Sequence, residues 1–228
     1  MKYDNLLNKR LESEIDEKFA TFSRKIMQTD KLLGVKVPVL RKIAKEFSVY
    51  DDFYNNVSLD NFEQIAVAGF YIGQTTKDYS ELKKRVDYIL PHINNWGNCD
   101  IFVSSIKLLK TKSKLEFLTN VFAYLKSSNE YTVRFGIVCL LDYYLLDEKL
   151  TDEIFKKIIP LQDKTYYIDM AIAWLVSVSF VKFKDITLDL LKSGNLTKNV
   201  QNKSISKICD SFRVDSSDKV FVKTLKIK

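Results

Sequence analysis

Apolar residues recur along this chain at helical spacing almost without interruption. Ile15, Phe19, Phe22 and Ile26 follow an i, i+4, i+7, i+11 pattern, which marks one apolar face of a helix and predicts a first helix running continuously from about Asn5 to Met27. Gly34 ends a short connector. Val37-Pro38-Val39 then opens a helix through about Phe47, with the proline tolerated in its first turn. Leu59 to Ile72 predicts another helix, capped by Ser58 and closed near Gly73. Further helices are expected near 78–90, 95–110, 113–126, 129–145, 151–160, 165–181, 184–193, 197–212 and 216–226. The clearest amphipathic stretch is Tyr167, Met170, Ala171, Trp174, Leu175 and Val178, at i, i+3, i+4, i+7, i+8 and i+11. No segment alternates as a strand would. Short breaks rich in Ser, Asn, Asp and Lys suit antiparallel helix pairs stacked in sequence. The expected fold is all-α, a right-handed solenoid of about five or six HEAT-like helix pairs forming a single domain over residues 1–228, with an ordinary helical bundle as the alternative.

Composition supports a folded chain. Only six Gly and three Pro occur in 228 residues, while 46% of residues are hydrophobic and 13% aromatic, ample for a continuous core. Lys and Arg outnumber Asp and Glu by 36 to 29, a net charge of +7, which favours contact with a polyanion. Cys99, Cys139 and Cys209 lie far apart in no metal-ligand spacing, so neither a metal nor a disulfide framework is indicated. The N-terminus lacks the apolar core of a signal peptide, and no apolar run is long enough to span a bilayer. A cytoplasmic protein with no membrane association is expected.

Three positions one helical repeat apart carry the candidate chemistry. Trp96, with Asp100 one turn later, precedes Arg134 by 38 residues, and Arg134 precedes Trp174 by 40, close to the roughly 40–47-residue period of HEAT-like units. Equivalent positions in such an array point to one side, so two indoles, a carboxylate and a guanidinium are expected on one concave surface. Each residue also has a structural reading: Trp96 and Trp174 as core side chains, Asp100 as a solvated first-turn carboxylate, Arg134 as half of a salt bridge. Arg134 stands one position off the apolar stripe Val133, Ile137, Leu140, Leu141 and Tyr144, at the expected border of the core, where a guanidinium can grip phosphate. From Leu196 onward the chain carries Lys198, Lys203, Lys207, Arg213, Lys219, Lys223, Lys226 and Lys228 against Asp210, Asp215 and Asp218, either a phosphate-tracking edge or a solvated lysine face. The sole histidine, His92, has no nucleophile at a motif spacing. There is no GxGxxG, P-loop or HExxH, so no cofactor is expected.

Taken in order, Leu33-Gly34-Val35-Lys36-Val37-Pro38-Val39-Leu40-Arg41-Lys42-Ile43, the Trp96 to Asp100 helix start, Val133-Arg134-Phe135-Gly136-Ile137 and Met170-Ala171-Ile172-Ala173-Trp174 resemble the AlkD-like family of DNA alkylation repair proteins, helical-repeat DNA glycosylases, from about Glu17 to the C-terminal helix. The resemblance implies removal of cationic N3- or N7-alkylpurines from double-stranded DNA without base flipping, by a monomer with no obligate protein partner. It implies that Trp96 and Trp174 flank the lesion nucleotide, that Asp100 faces its deoxyribose and that Arg134 holds a backbone phosphate. Two departures stand out. Family members commonly carry an arginine three residues after the second tryptophan, where this chain has Ser177. The family glycosylase begins with two short helices, the second pressing on DNA at the lesion, whereas one continuous helix over residues 5–27 places this chain with a subgroup lacking that element. A DNA-binding protein without excision activity and a protein-interaction solenoid are the alternatives.

Overall fold

A computed structural model of the chain describes residues 1–27 and 29–228. Among these residues the protein is all-helical, with thirteen α-helices, short 3-10 turns, one π turn and no strand. It divides into two compact units, Met1–Lys114 and Leu115–Lys228. The first holds α1 (Asp4–Glu12), α2 (Glu17–Met27), α3 (Val37–Glu46), α4 (Phe62–Thr75), α5 (Tyr79–Ile89) and α6 (Trp96–Ser105). The second holds α7 (Leu118–Tyr124), α8 (Glu130–Cys139), α9 (Glu148–Ile158), α10 (Tyr166–Lys182), α11 (Lys184–Lys192), α12 (Lys198–Asp210) and α13 (Ser216–Thr224). No helix is long and apolar enough to cross a membrane among the described residues.

The expected continuous helix over residues 5–27 is two helices, and local hydrogen bonding explains the break. Ser13 turns its hydroxyl back onto the Arg10 carbonyl at 2.8 Å, a bond that competes with the helix ladder. Three residues on, the Asp16 carboxylate accepts the Phe19 N–H at 3.0 Å and so caps a new helix. That amide and the Lys36 ammonium hold the Asp16 carboxyl below its ordinary range. Nor does the expected apolar stripe face the core: Phe22 is 63% and Ile26 45% exposed, while α2 buries Ala20 and Ser23. At Ala20 a small residue faces inward because the backbone of the Leu33–Val35 loop lies directly against it. A Cβ on Gly34 would stand 2.6 Å from that of Ala20, and Gly34 adopts φ +113°, open to glycine at little cost.

What holds that loop is Glu63, in the first turn of α4 and fully buried. Its carboxylate accepts the N–H groups of Leu33 at 2.9 Å, Gly34 at 2.8 Å and Val35 at 3.2 Å. Helix α4 begins three residues later than expected, at Phe62. Asn61 caps it in a reciprocal box with Gln64, while Ser58 bonds instead to Asp4 of α1 through its N–H and hydroxyl, at 2.8 and 2.7 Å. Gly73 does not close the helix either. It lies inside α4, where Ser105 of α6 approaches so closely that a Cβ would fall 2.2 Å from its hydroxyl. Helix α4 is therefore buried on nearly every side, between α3 and α6.

In the second unit α10 takes the central place, packed by α8, α11 and α12. The stripe read from sequence on α8, Val133, Ile137, Leu140, Leu141 and Tyr144, is buried throughout. Its last three members belong to a π turn, Leu140–Tyr144, that continues α8. In α10, Ala171 and Leu175 are buried while Met170, Trp174 and Val178 are only half-buried, so the amphipathic stretch is the border of the core and not its centre.

Replacing Glu63 by Gln keeps the shape but sets an amide donor among three buried N–H donors. Glu63→Gln is expected to lower unfolding free energy by about 1–3 kcal/mol with an unchanged denaturant slope. An unaltered urea midpoint would show that the loop is held by other contacts.

Candidate functional site

Trp96 is the first residue of α6. The side chain of Asn95 caps the helix by accepting the Asn98 N–H at 2.9 Å, which fixes where the turn starts and hence where the indole stands. Trp96 and Asp100, one turn apart, are both half-buried, neither sealed in the core nor fully solvated. Gly97 between them is buried because α2 ends against it: a Cβ there would meet Met27 Sδ and Cε at 2.8 Å and Phe62 Cε2 at 3.1 Å. The C-terminal end of α2, with Ile26 exposed beside Met27, therefore borders the turn that carries Trp96 and Asp100.

In the second unit Trp174 lines a cleft of about 320 Å³ with Ser177, Val178, Lys207 and Arg213 among its walls. Lys207 also faces a neighbouring cleft of about 840 Å³, lined by Tyr166, Met170, Lys198 and Lys203 on the α10–α12 face. There the Lys203 ammonium stands 5.0 Å from the Tyr166 ring centroid, a cation–π contact on an aromatic side chain that is itself 59% exposed. Ser177 is 7% exposed and donates its hydroxyl to the Trp174 carbonyl at 2.9 Å, so it is spent on its own helix. Arg213, from the turn between α12 and α13, brings an exposed guanidinium to the same cleft as Trp174.

Arg134 differs from these. It is only 5% exposed, deeper than the core border expected from its position, and lines neither cleft. Its Nη1 donates to the Tyr167 carbonyl at 2.9 Å, while the Tyr167 N–H donates to Glu130 Oε1 at 3.2 Å. Both backbone groups of Tyr167 are thus gripped by side chains of α8. Within each unit the structure brings together Trp96 with Asp100, and Trp174 with Lys207 and, one cleft along, Lys203. Periodicity alone does not find Tyr166, whose signal is an aromatic directly after the Thr165 cap, and it wrongly assigns Phe22 to the core.

The second unit sets a half-exposed indole beside clefts lined by lysine and arginine, and the first sets one beside a carboxylate; aromatic faces and cations are the groups that suit a nucleic acid. The chain belongs to the DNA alkylation repair enzyme family, whose profile matches residues 7–178. That span begins ahead of the expected Glu17, so it takes in most of α1 and all of α2, and it contains Trp96, Asp100, Arg134 and Trp174. It ends before α11, short of the expected C-terminal helix, leaving Lys203, Lys207 and Arg213 outside. No curated protein and no solved structure shows a significant match to the chain.

Arg134→Ala is expected to lower stability by about 1–3 kcal/mol, because it removes a buried side chain and its charge-assisted bond to the Tyr167 carbonyl, whereas Lys207→Ala should leave the melting temperature unchanged. Equal melting temperatures for wild type and Arg134→Ala would return the guanidinium to a purely surface role.

Proposed function

We propose that the protein is a monofunctional N-glycosylase that removes cationic N3- or N7-alkylpurines from double-stranded DNA without flipping the base, acting as a monomeric right-handed HEAT-like-repeat domain over residues 1–228. The observation that carries this reading is the Trp96–Asp100 turn: an indole and a carboxylate, half-buried and one turn apart, next to the exposed apolar end of α2. The break at Ser13–Asp16 supports it as well, since α2 is a separate short helix as in the family glycosylase. Phe22 and Ile26 are then proposed to press on the duplex at the lesion.

The chemistry asks little of a general acid. Alkylation leaves a formal positive charge on the purine, so the N-glycosidic bond breaks with its electron pair passing to the base, which departs neutral. The sugar left behind is oxocarbenium-like. Asp100 is proposed to stabilise that cation and to orient the water that adds at C1′ as its proton passes to solvent, leaving an abasic site, as carboxylates do in glycoside hydrolysis. Trp96 and Trp174 are proposed to lay their faces against the cationic nucleotide and exclude water. Lys203, Lys207 and Arg213 are assigned to backbone phosphates, Arg213 supplying the grip that Ser177 cannot. Arg134, nearly buried, is proposed to set the first turn of α10 and to offer only its edge to a phosphate.

Incubation with duplex DNA containing N7-methylguanine or N3-methyladenine should release free base. Asp100→Asn should remove most of that release while sparing DNA binding, because the amide keeps the shape without the charge. Full activity in Asp100→Asn would end the proposed role, and wild-type protein that binds the duplex without releasing base would favour the binding-only reading. Phe22→Ser, on an exposed position, should leave the melting temperature unaltered and slow excision several-fold. Excision at the wild-type rate would mean that α2 does not engage the lesion.

A further inference from the structure

A cleft in the first unit, lined by none of the residues assigned above, differs in charge from the clefts of the second. It has a volume of about 390 Å³ and is walled by Arg41, Lys42 and Lys45 of α3 together with Lys107 and Lys110 from the 3-10 turn after α6. No carboxylate lines it. The clefts on α10 and α12 contain Asp163 and Asp210 beside their lysines, so their cations are partly offset at close range. All five cations of the α3 cleft are exposed, and none forms an ion pair among the described residues. Five like charges around one cleft repel one another, and an arrangement of this kind lowers its energy by taking up an anion.

One of these charges is held by its surroundings. The Arg41 guanidinium lies 4.8 Å from the ring centroid of buried Phe70, a cation–π contact that restrains its fork. Gln74 and Ser105, near the C-terminal ends of α4 and α6, form the floor. Helix C-termini favour nearby cations, but their partial charges are far too small to neutralise five full ones. Helix α6 connects this cleft to Trp96: the indole stands at its first residue and Ser105 at its last, nine rises or about 13.5 Å apart along the axis. That separation is of the order of the major-groove width of about 12 Å.

We propose that the Arg41–Lys110 cleft is a second, lesion-independent seat for duplex DNA, receiving consecutive backbone phosphates while the Trp96–Asp100 turn meets the damaged nucleotide. The inference rests on the DNA-acting function proposed above. A phosphate backbone is the occupant that fits, because it supplies closely spaced charges along a line and the cleft offers cations on both of its walls and no carboxylate to receive a donor-rich ligand.

The test is the salt dependence of binding to an undamaged 20-base-pair duplex, read by fluorescence anisotropy on the full chain. Lys107→Gln/Lys110→Gln is compared with Lys77→Gln/Lys84→Gln, which makes the same charge change at exposed lysines outside the cleft. Every phosphate left without its lysine lowers the slope of log K against log salt by roughly 0.9, so the cleft variant should show a slope shallower by nearly two units and an affinity about tenfold weaker at moderate salt. The control should change much less, and both variants should melt with wild type. Equal effects in the two variants, or none in the cleft variant while wild type binds DNA, would overturn the cleft and leave the proposed function standing. Failure of wild type to bind duplex DNA would overturn both, and a defect confined to duplex RNA would overturn the cleft as a DNA seat.

Discussion

The first unit depends on one buried charge. A carboxylate taken fully out of water is untenable unless its oxygens are saturated by donors, and Glu63 meets that demand with three consecutive backbone N–H groups. The requirement propagates. Presenting three amides to one carboxylate curls the Leu33–Val35 loop and drives Gly34 to positive φ. The curled loop leaves room only for a small side chain at Ala20 beneath Gly34, and the Gly34 carbonyl accepts the Asp16 N–H at 3.1 Å, anchoring the cap of α2. With its small residues inward, α2 must turn Phe22 and Ile26 outward and bring Met27 onto Gly97. A single acid in α4 thus decides what stands beside Trp96.

In the second unit the same task falls to polar side chains around the start of α10. Glu130 and Arg134 grip both backbone groups of Tyr167. Asp169, 3% exposed, accepts the Asp163 N–H at 2.9 Å and the Asn199 amide at 2.6 Å, tying α10 to α12. These bonds fix the rotation of α10 about its axis, and rotation is what puts Trp174 at the rim of the core and not within it. Arg134 is accordingly one of the groups that hold the first turn of α10. A guanidinium carries five donors, so bonding the Tyr167 carbonyl leaves others over.

The sequence by itself determined that the chain is helical, where most helices lie and which family it belongs to. Those properties follow from the 3.6-residue spacing of apolar side chains and from short local motifs, and both survive whatever the tertiary arrangement. The helix starts at Trp96 and Tyr166 follow from side-chain caps a few residues away, which are equally local. Periodicity, however, reports only that a helix has an apolar side, not where that side points. On α2 it points to solvent, because the inward face is chosen by a loop held from thirty residues away. The burial of Arg134 and the exposure of Trp174 were decided in the same manner, by hydrogen bonds to groups distant in the chain. The cation cleft of the first unit joins α3 to the turn after α6, more than sixty positions along, and only folding brings Arg41 and Lys107 to one opening.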